Sequence, residues 1–292
     1  MRVTQSMLSN NTLRHIANSY SKLGQLNEQM NTGKKFSKPS DNPVAAMRAM
    51  GYRTDLNRVE QFQQNIAEVQ SWTDSTDDAL NQVGLALQKI RELTVQASNG
   101  TLEGDQRSYI AAEIVQLKEQ ISSIGDTQIG GKYIFGGTKT NVRPSDDFSQ
   151  AKGQIEVEVF SGIKLPLNFE GADIFMGLVG NEDTDGEIDK LTNALEANAS
   201  EEEIGGFLST LDAQIDNLLS ARATIGARQN RVELMDDRLS SQEVFSTRIL
   251  SDNEDIDLER VIIDLTSQES VHRAAMSVGA RIIQPTLMDF LR

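Results

Sequence analysis

Residues 255–292 read DIDLERVIIDLTSQESVHRAAMSVGARIIQPTLMDFLR. Within them Leu258, Val261, Ile262, Leu265, Val271, Ala275, Met276, Val278, Ile282 and Ile283 recur at spacings of three and four. That is one apolar face of a helix. Asp257, Glu259, Arg260, Asp264, Gln268, Glu269, Arg273 and Arg281 cover much of the rest. Ser251 and Asp252 offer N-cap side chains upstream, and Pro285 stops the pattern. Over 256–284 such a helix is about 43 Å long, at roughly 1.5 Å per residue. Alone it cannot bury its stripe. Leu13, Ile16, Tyr20, Leu23, Leu26 and Met30 make a similar stripe near the other end of the chain. The first and last segments are therefore expected to pair, with everything between them an excursion that leaves and returns. The stripes read either as ordinary core helices of a bundle or as an assembly surface. Leu287 and Phe290 are counted with that surface.

Composition sets the limits. The 292 residues suffice for two or three modest domains. Hydrophobic residues are 38% and aromatics 5%, which suits extended helical packing better than a large globular core. With 5 prolines, long uninterrupted helices are permitted. A net charge of −15 argues against a general nucleic-acid binder, which needs a basic surface for phosphate contacts. The absence of cysteine excludes disulfides, thiolate metal sites and cysteine nucleophiles. Residues 1–8 contain no apolar core of a cleaved secretory signal, and no stretch reaches the roughly 18 apolar residues of a membrane span. The expectation is a chain that either stays in the cytoplasm or leaves by a route that reads no such signal, without membrane insertion.

In order, a first helix is expected over 6–31, closed by Gly33. A loop with Lys34, Lys35 and Lys38 follows, and Asn42-Pro43 begins a second helix as N-cap and N1. The lysines read as a solvated loop or as contacts to an acidic neighbour. Val59, Phe62, Ile66, Val69, Thr73, Thr76, Leu80, Val83, Leu87, Ile90, Thr94 and Ala97 then alternate spacings of three and four, a heptad seam expected to be weakest over 71–78. Asn99-Gly100 breaks it. Ile110, Ile114, Leu117, Ile121 and Ile124 continue the rhythm up to Gly125, so the two helices read as an antiparallel hairpin.

The character then changes. Gly130, Gly131, Gly136 and Gly137 flank Tyr133-Ile134-Phe135. Ile155, Val157 and Val159 alternate with glutamates, and Ile163, Leu165, Leu167 and Phe169 alternate with Lys164, Pro166 and Asn168. With Ser161-Gly162 between them, this is a β-hairpin whose proline marks an edge. Helix returns after Gly186 with Ile188, Leu191 and Leu195. A long stripe follows through Ile204, Leu208, Leu211, Ile215, Leu218, Ile225, Val232 and Leu239. If continuous over 201–250 it spans about 75 Å, with Gly226 as a soft point.

No catalytic constellation is found, so the chain reads as a non-enzyme without cofactor or metal. His15 and His272 sit within the terminal stripes as packing or boundary residues. Gly131 and Gly136 have the spacing of a P-loop, but Gly137 stands where its lysine is needed. Asn181, Asp183, Asp185 and Gly186 resemble the opening of a calcium loop, yet the twelfth position is Thr192, where a bidentate glutamate is required. An acidic linker turn is the better reading.

Three stretches carry a resemblance. Residues 33–46, from Gly33-Lys34-Lys35-Phe36 to Asn42-Pro43-Val44-Ala45-Ala46, resemble the motif after the first helix of bacterial flagellins and their relatives. Residues 79–101 are similar to the second flagellin signature. Ile225-Gly226-Ala227-Arg228-Gln229-Asn230-Arg231-Val232-Glu233 resembles the third. Residues 128–138 and 284–291 look more like the hook-associated branch of that family than like its filament proteins.

The resemblance implies a mainly α fold. It would be a long antiparallel helical bundle or coiled-coil rod with paired terminal helices and a small β-rich insert. Three parts are expected: a terminal paired-helix assembly part (1–40 with 256–292), a helical-bundle rod (41–135 with 186–255) and a variable β-rich outer part (136–185). The implied role is a structural adaptor joining hook to filament, outside the cell and exported through the flagellar type III apparatus without a cleaved signal. A filament-forming flagellin, and further off a coiled-coil adhesin, remain alternatives. The implied partners are hook-associated protein 1, flagellin, further copies of the chain in a ring, and an export chaperone.

Overall fold

The structure, a computed structural model, describes residues 5–99, 104–181 and 184–283. These residues form helices α1 (Gln5–Thr32), α2 (Pro43–Ala97), α3 (Gly104–Gly125), α4 (Ala172–Val179), α5 (Glu187–Glu196), α6 (Glu201–Glu254) and α7 (Leu258–Ile283). The strands are β1 (Gln128–Ile129), β2 (Lys132–Tyr133), β3 (Glu156–Phe160), β4 (Ile163–Pro166), β5 (Gly180–Asn181) and β6 (Thr184–Asp185), joined as three separate antiparallel pairs. The fold is mainly α, with long helices and small strand pairs. It divides into two compact units: 1–58 with 243–292 (unit 1) and 59–242 (unit 2).

Unit 2 is built on the heptad seam of α2. Eleven of the twelve seam residues from Val59 to Ala97 are buried, and Phe62 packs half-buried against them. The threonines in the seam each satisfy their own hydroxyl. Thr73, Thr76 and Thr94 donate to the carbonyls of Val69, Trp72 and Ile90 at 2.7, 2.7 and 2.8 Å. Such bonds to the preceding turn let a polar residue sit inside an apolar seam.

Helix α6 answers with Ile204, Leu211, Leu218, Ile225, Val232 and Leu239, one every seven residues and all buried. It passes through Gly226 unbroken. Three polar links fix its direction against α2. Arg91 donates to Asp212 at 2.6 Å, Arg222 forks onto Asp77 at 2.9 and 3.1 Å, and Gln229 donates to Asp74 at 2.7 Å. Numbers fall on one helix as they rise on the other, so the pair is antiparallel. Helix α5 lies on α3, with Ile188, Leu191 and Leu195 buried and Lys118 donating to both oxygens of Asp189 at 2.6 and 2.7 Å.

The insert joins this core. In the β3–β4 hairpin Val157 faces Leu165 and Glu158 faces Lys164, with an irregularity before Phe160. Strand β4 ends at Pro166, but the Leu167 amide still donates to Ile155 O at 2.7 Å. Helix α4 is not anticipated by the sequence reading. Its run Ile-Phe-Met-Gly-Leu-Val is apolar all round and too short for periodicity to separate helix from strand. It seats Phe175 against Phe135 and Phe148, with ring centroids 4.8 and 5.3 Å apart. All three rings are buried in the same cluster as the α2, α3 and α6 seams.

Candidate assembly interface

Unit 1 contains α1, α7, the start of α2 and the end of α6. The expected pairing of the first and last segments is present: α1 packs along α7. A Cβ placed on Gly279 would lie 3.0 Å from Ile16 Cδ1 and 3.3 Å from Thr12 Cγ2. Farther along α1, Gln268 donates to Ser19 Oγ at 3.1 Å, and the Tyr20 and His272 rings are 6.1 Å apart. The pair is therefore antiparallel.

The seam between them is thin. Leu26 and Val261 are buried; Ile16, Leu23, Met30 and Leu265 are half-buried; Leu13, Tyr20, Leu258, Ile262 and Met276 are exposed. Ile282 and Ile283 fall in the last turn of α7, and Leu287 and Phe290 lie outside the described residues. Met7, Leu8, Val44, Met47, Met50, Val244, Phe245, Ile263, Val271 and Val278 are further exposed apolar side chains of this unit. Among the described residues its buried apolar side chains are Leu26, Ala46, Ala49 and Val261. Unit 2 buries its seams, whereas unit 1 displays its own.

The start of α7 differs from the sequence expectation. Ser251 and Asp252 lie inside α6, which runs to Glu254, so they do not cap α7. The cap is Asp257, whose side chain accepts the Arg260 amide at 3.2 Å and whose carbonyl accepts that of Val261 at 3.0 Å. Between the two helices the chain is held by a one-residue β-bridge, Lys34 with Asp255. The Lys35 amide donates to Glu254 O at 2.6 Å and the Ile256 amide to Gly33 O at 3.0 Å.

At this joint the loop lysines separate into different roles. Lys34 Nζ and Arg53 Nη2 both donate to Glu254 Oε2, at 2.9 and 2.7 Å. Lys35 Nζ donates to Asp252 O at 2.7 Å. Lys38 is left 68% exposed, 3.9 Å from Glu28. The Glu254 side chain is 4% exposed and its Oε1 has no partner. Burial by itself pushes this carboxyl up, but the bonds from Lys34 and Arg53 outweigh it and hold it below its ordinary value of 4.5. A depressed carboxyl stabilises the fold above its unfolded value and loses that contribution as pH falls through the folded one. The α6–α7 joint is thus expected to loosen as acid protonates this carboxyl, at a pH below its ordinary range. Amide exchange at Lys35 and Ile256 reads this directly. Equal protection in the parent and in a Glu254→Gln variant would show that the carboxylate does not hold the joint.

The remaining candidates resolve simply. His15 is exposed, and His272 is half-buried with no partner for Nδ1. Asn181 Oδ1 accepts the Thr184 amide at 2.9 Å and the Thr184 hydroxyl, so it closes the β5–β6 turn. Asp183 lies outside the described residues. Among the described residues no group of three or more His, Asp or Glu is placed to hold a metal, and no helix is long and apolar enough to cross a membrane.

Residues 3–140 match the family described as the bacterial flagellin N-terminal helical region. Flagellar hook-associated protein 3 of Escherichia coli (strain K12) is 28% identical across 94% of this chain and 95% of its own length. Over its N-terminal region the chain is similar to the bacterial flagellins. Flagellin of Bacillus subtilis (strain 168) is 26% identical over 97% of each chain. A solved structure described as a flagellar hook-associated protein from Vibrio parahaemolyticus superposes with a TM-score of 0.65 at 25% identity, over 74% of this chain and all of that one.

The flagellin-like motifs now have physical roles. In the first, Gly33 leaves α1 with φ +69°, a conformation only glycine adopts at little cost. Asp41 accepts the Ser37 and Lys38 amides at 3.4 and 3.1 Å, and Asn42 Oδ1 caps α2 through the Ala45 amide at 3.1 Å. Lys34, together with Arg53 from beyond the motif, binds the α6–α7 joint through Glu254. The second flagellin motif supplies half of the α2 seam, Leu80 to Ala97, and Arg91. In the third, Arg228 donates to Asn168 O at 3.3 Å and lies 5.9 Å from the Phe169 ring, tying the insert to α6. Burial pushes the Arg228 guanidinium below its usual value. Sequence reasoning passed over Glu254, Ser19 and Gly279, and placed Gln268 only on the polar face. Only Gly279 left a trace, as a small residue four positions after Ala275 on the stripe.

Proposed function

We infer that this chain is a structural adaptor of the bacterial flagellum, set where the hook meets the filament. The observation that carries the reading is the contrast within one chain. Unit 2 buries a continuous apolar core, whereas unit 1 leaves most of its apolar stripe in water. Exposed apolar area on this scale marks a surface that other protein covers. The end-to-end likeness to hook-associated protein 3 of Escherichia coli supports placing that covering protein in the flagellum.

In this reading the partners are hook-associated protein 1 on one side, flagellin on the other, and copies of the same chain beside it. An export chaperone would hold the chain before it leaves the cell through the flagellar type III apparatus. The assembly part is 1–40 with 256–292, the bundle part 41–135 with 186–255, and the outer part 136–185. The assembly residues are the two stripes, from Leu13 to Met30 and from Leu258 to Phe290. In a dilute solution of the chain, limited proteolysis is expected to trim both ends first and leave a core near 41–255. Ends as resistant as the core would count against an interface that orders on assembly.

A filament-forming flagellin is the second reading, favoured by the likeness to the Bacillus subtilis protein over 97% of each chain. Immunogold labelling of native flagella separates the two. One band where hook meets filament supports the adaptor. Label along the whole filament makes the chain a filament protein, and unlabelled flagella reject both.

A further inference from the structure

The loop after α1 and the first turns of α2 enclose a groove of about 340 Å³. Phe36, Ala46, Ala49 and Met50 line it together with Lys34, Lys38 and Arg53. Its charge is unbalanced. Lys34 and Arg53 share the single carboxylate of Glu254, and Lys38 is exposed with Glu28 3.9 Å away. Over 34–53 the chain holds Lys34, Lys35, Lys38, Arg48 and Arg53 against Asp41, although the whole chain is at −15. A groove with apolar walls and surplus positive charge fits an acidic residue flanked by large apolar ones. Nine residues that follow α7 have that pattern: Leu287 and Met288 precede Asp289, and Phe290 and Leu291 follow it.

We propose that this groove receives residues 287–291 of a second copy of the chain. Asp289 meets Lys38 and Arg53, and the flanking apolar side chains cover Phe36, Ala49 and Met50. The inference rests on unit 1 being an assembly surface and names one contact on it.

Reach decides between the chain's own segment and a neighbour's. Gly279 packs beside Thr12 and Ile16, and α7 then continues away from the groove to Ile283. From the level of Ile16 to Thr32, where the groove begins, α1 rises about 24 Å, and the rest of α7 adds about 6 Å. Asp289 lies six residues past Ile283, which is at most about 21 Å of extended chain. The segment therefore falls short of its own groove and must enter another copy's. A contact in which different patches meet is heterologous and repeats from copy to copy around a ring or along a helix.

The cysteine-free chain allows a direct test. Full-length Met50→Cys and full-length Phe290→Cys are mixed at assembling concentration and oxidised mildly, and the link is identified by mass spectrometry. A 50–290 crosslink between copies is expected, at least tenfold above that from a Leu85→Cys and Phe290→Cys mixture. Adding Lys38→Glu to the first chain should lower the yield about tenfold, and Asp289→Lys in the second should restore it. Yield no greater than the control, or yield indifferent to Lys38→Glu, overturns the proposal. A chain carrying both cysteines that crosslinks internally at high dilution overturns the assignment to a second copy. Failure of the crosslink with the junction band intact removes this contact alone, whereas loss of the band removes the flagellar reading beneath it.

Discussion

A chain carrying Leu13→Glu and Met276→Glu is expected to fold as its parent does and to be absent from the flagellum. Both side chains are about half exposed, at 51% and 52%, on helices that keep good helix formers after the change. Surface substitutions of this kind usually shift stability by no more than about 0.5 kcal/mol each. On assembly the balance reverses. Covering each apolar side chain is worth about 2 kcal/mol, and that is lost. Each new carboxylate must also leave water, at several kcal/mol when no partner is provided. At about 1.4 kcal/mol per tenfold, incorporation should fall by a factor on the order of a thousand or more. Circular dichroism should match the parent, with a thermal midpoint within a few degrees, while immunogold label at the junction disappears. Normal incorporation of the double variant would show that these faces stay in water in the assembled state. Loss of helicity would move the effect to the fold of unit 1.

Leu87→Ala should give the opposite pair of results, a large loss of stability with no change in the assembly surface. Leu87 is fully buried in the α2 seam. Truncation there costs about 3 kcal/mol, from lost burial and the cavity left behind. The chain has a single tryptophan, Trp72, which is 2% exposed on the same helix, so its fluorescence reports the unfolding of unit 2. With a urea slope of roughly 3 kcal/mol per M, the midpoint should drop by about 1 M. Leu85, two residues earlier and 60% exposed, supplies the control. Leu85→Ala should leave the midpoint within about 0.2 M, since surface changes are small. Equal shifts for the two variants would contradict the assignment of the seam.

Much of the architecture was legible because it is periodic. Twelve seam positions on α2, the seven-residue repeat of α6 and the alternation of β3 and β4 each state which face is buried, whatever the partner. The caps at Gly33 and Asn42 were legible for the same reason: their chemistry is local. Helix α4 was hidden because an apolar run of that length has no polar face to set a period. Asp257 lost out to Ser251 and Asp252 as the expected cap because all three are good N-cap residues in a short acidic stretch. The choice depended on where Lys34 bridges Asp255, a contact more than two hundred residues away in sequence.

By itself the sequence determined the helical fold class, the return of the chain to its starting end, and the apolar faces of its terminal helices. These follow from local spacing, which the backbone period turns into faces without reference to any other residue. Tertiary structure alone decided which acid among many becomes the buried partner of Lys34 and Arg53. It also decided that Gly279 is where α7 comes closest to α1, and that an insert with strand periodicity shares one core with the helices. The physical reason is that burial and pairing are properties of a place. Glu254 differs from its neighbouring acids only because two cations and a β-bridge converge on it.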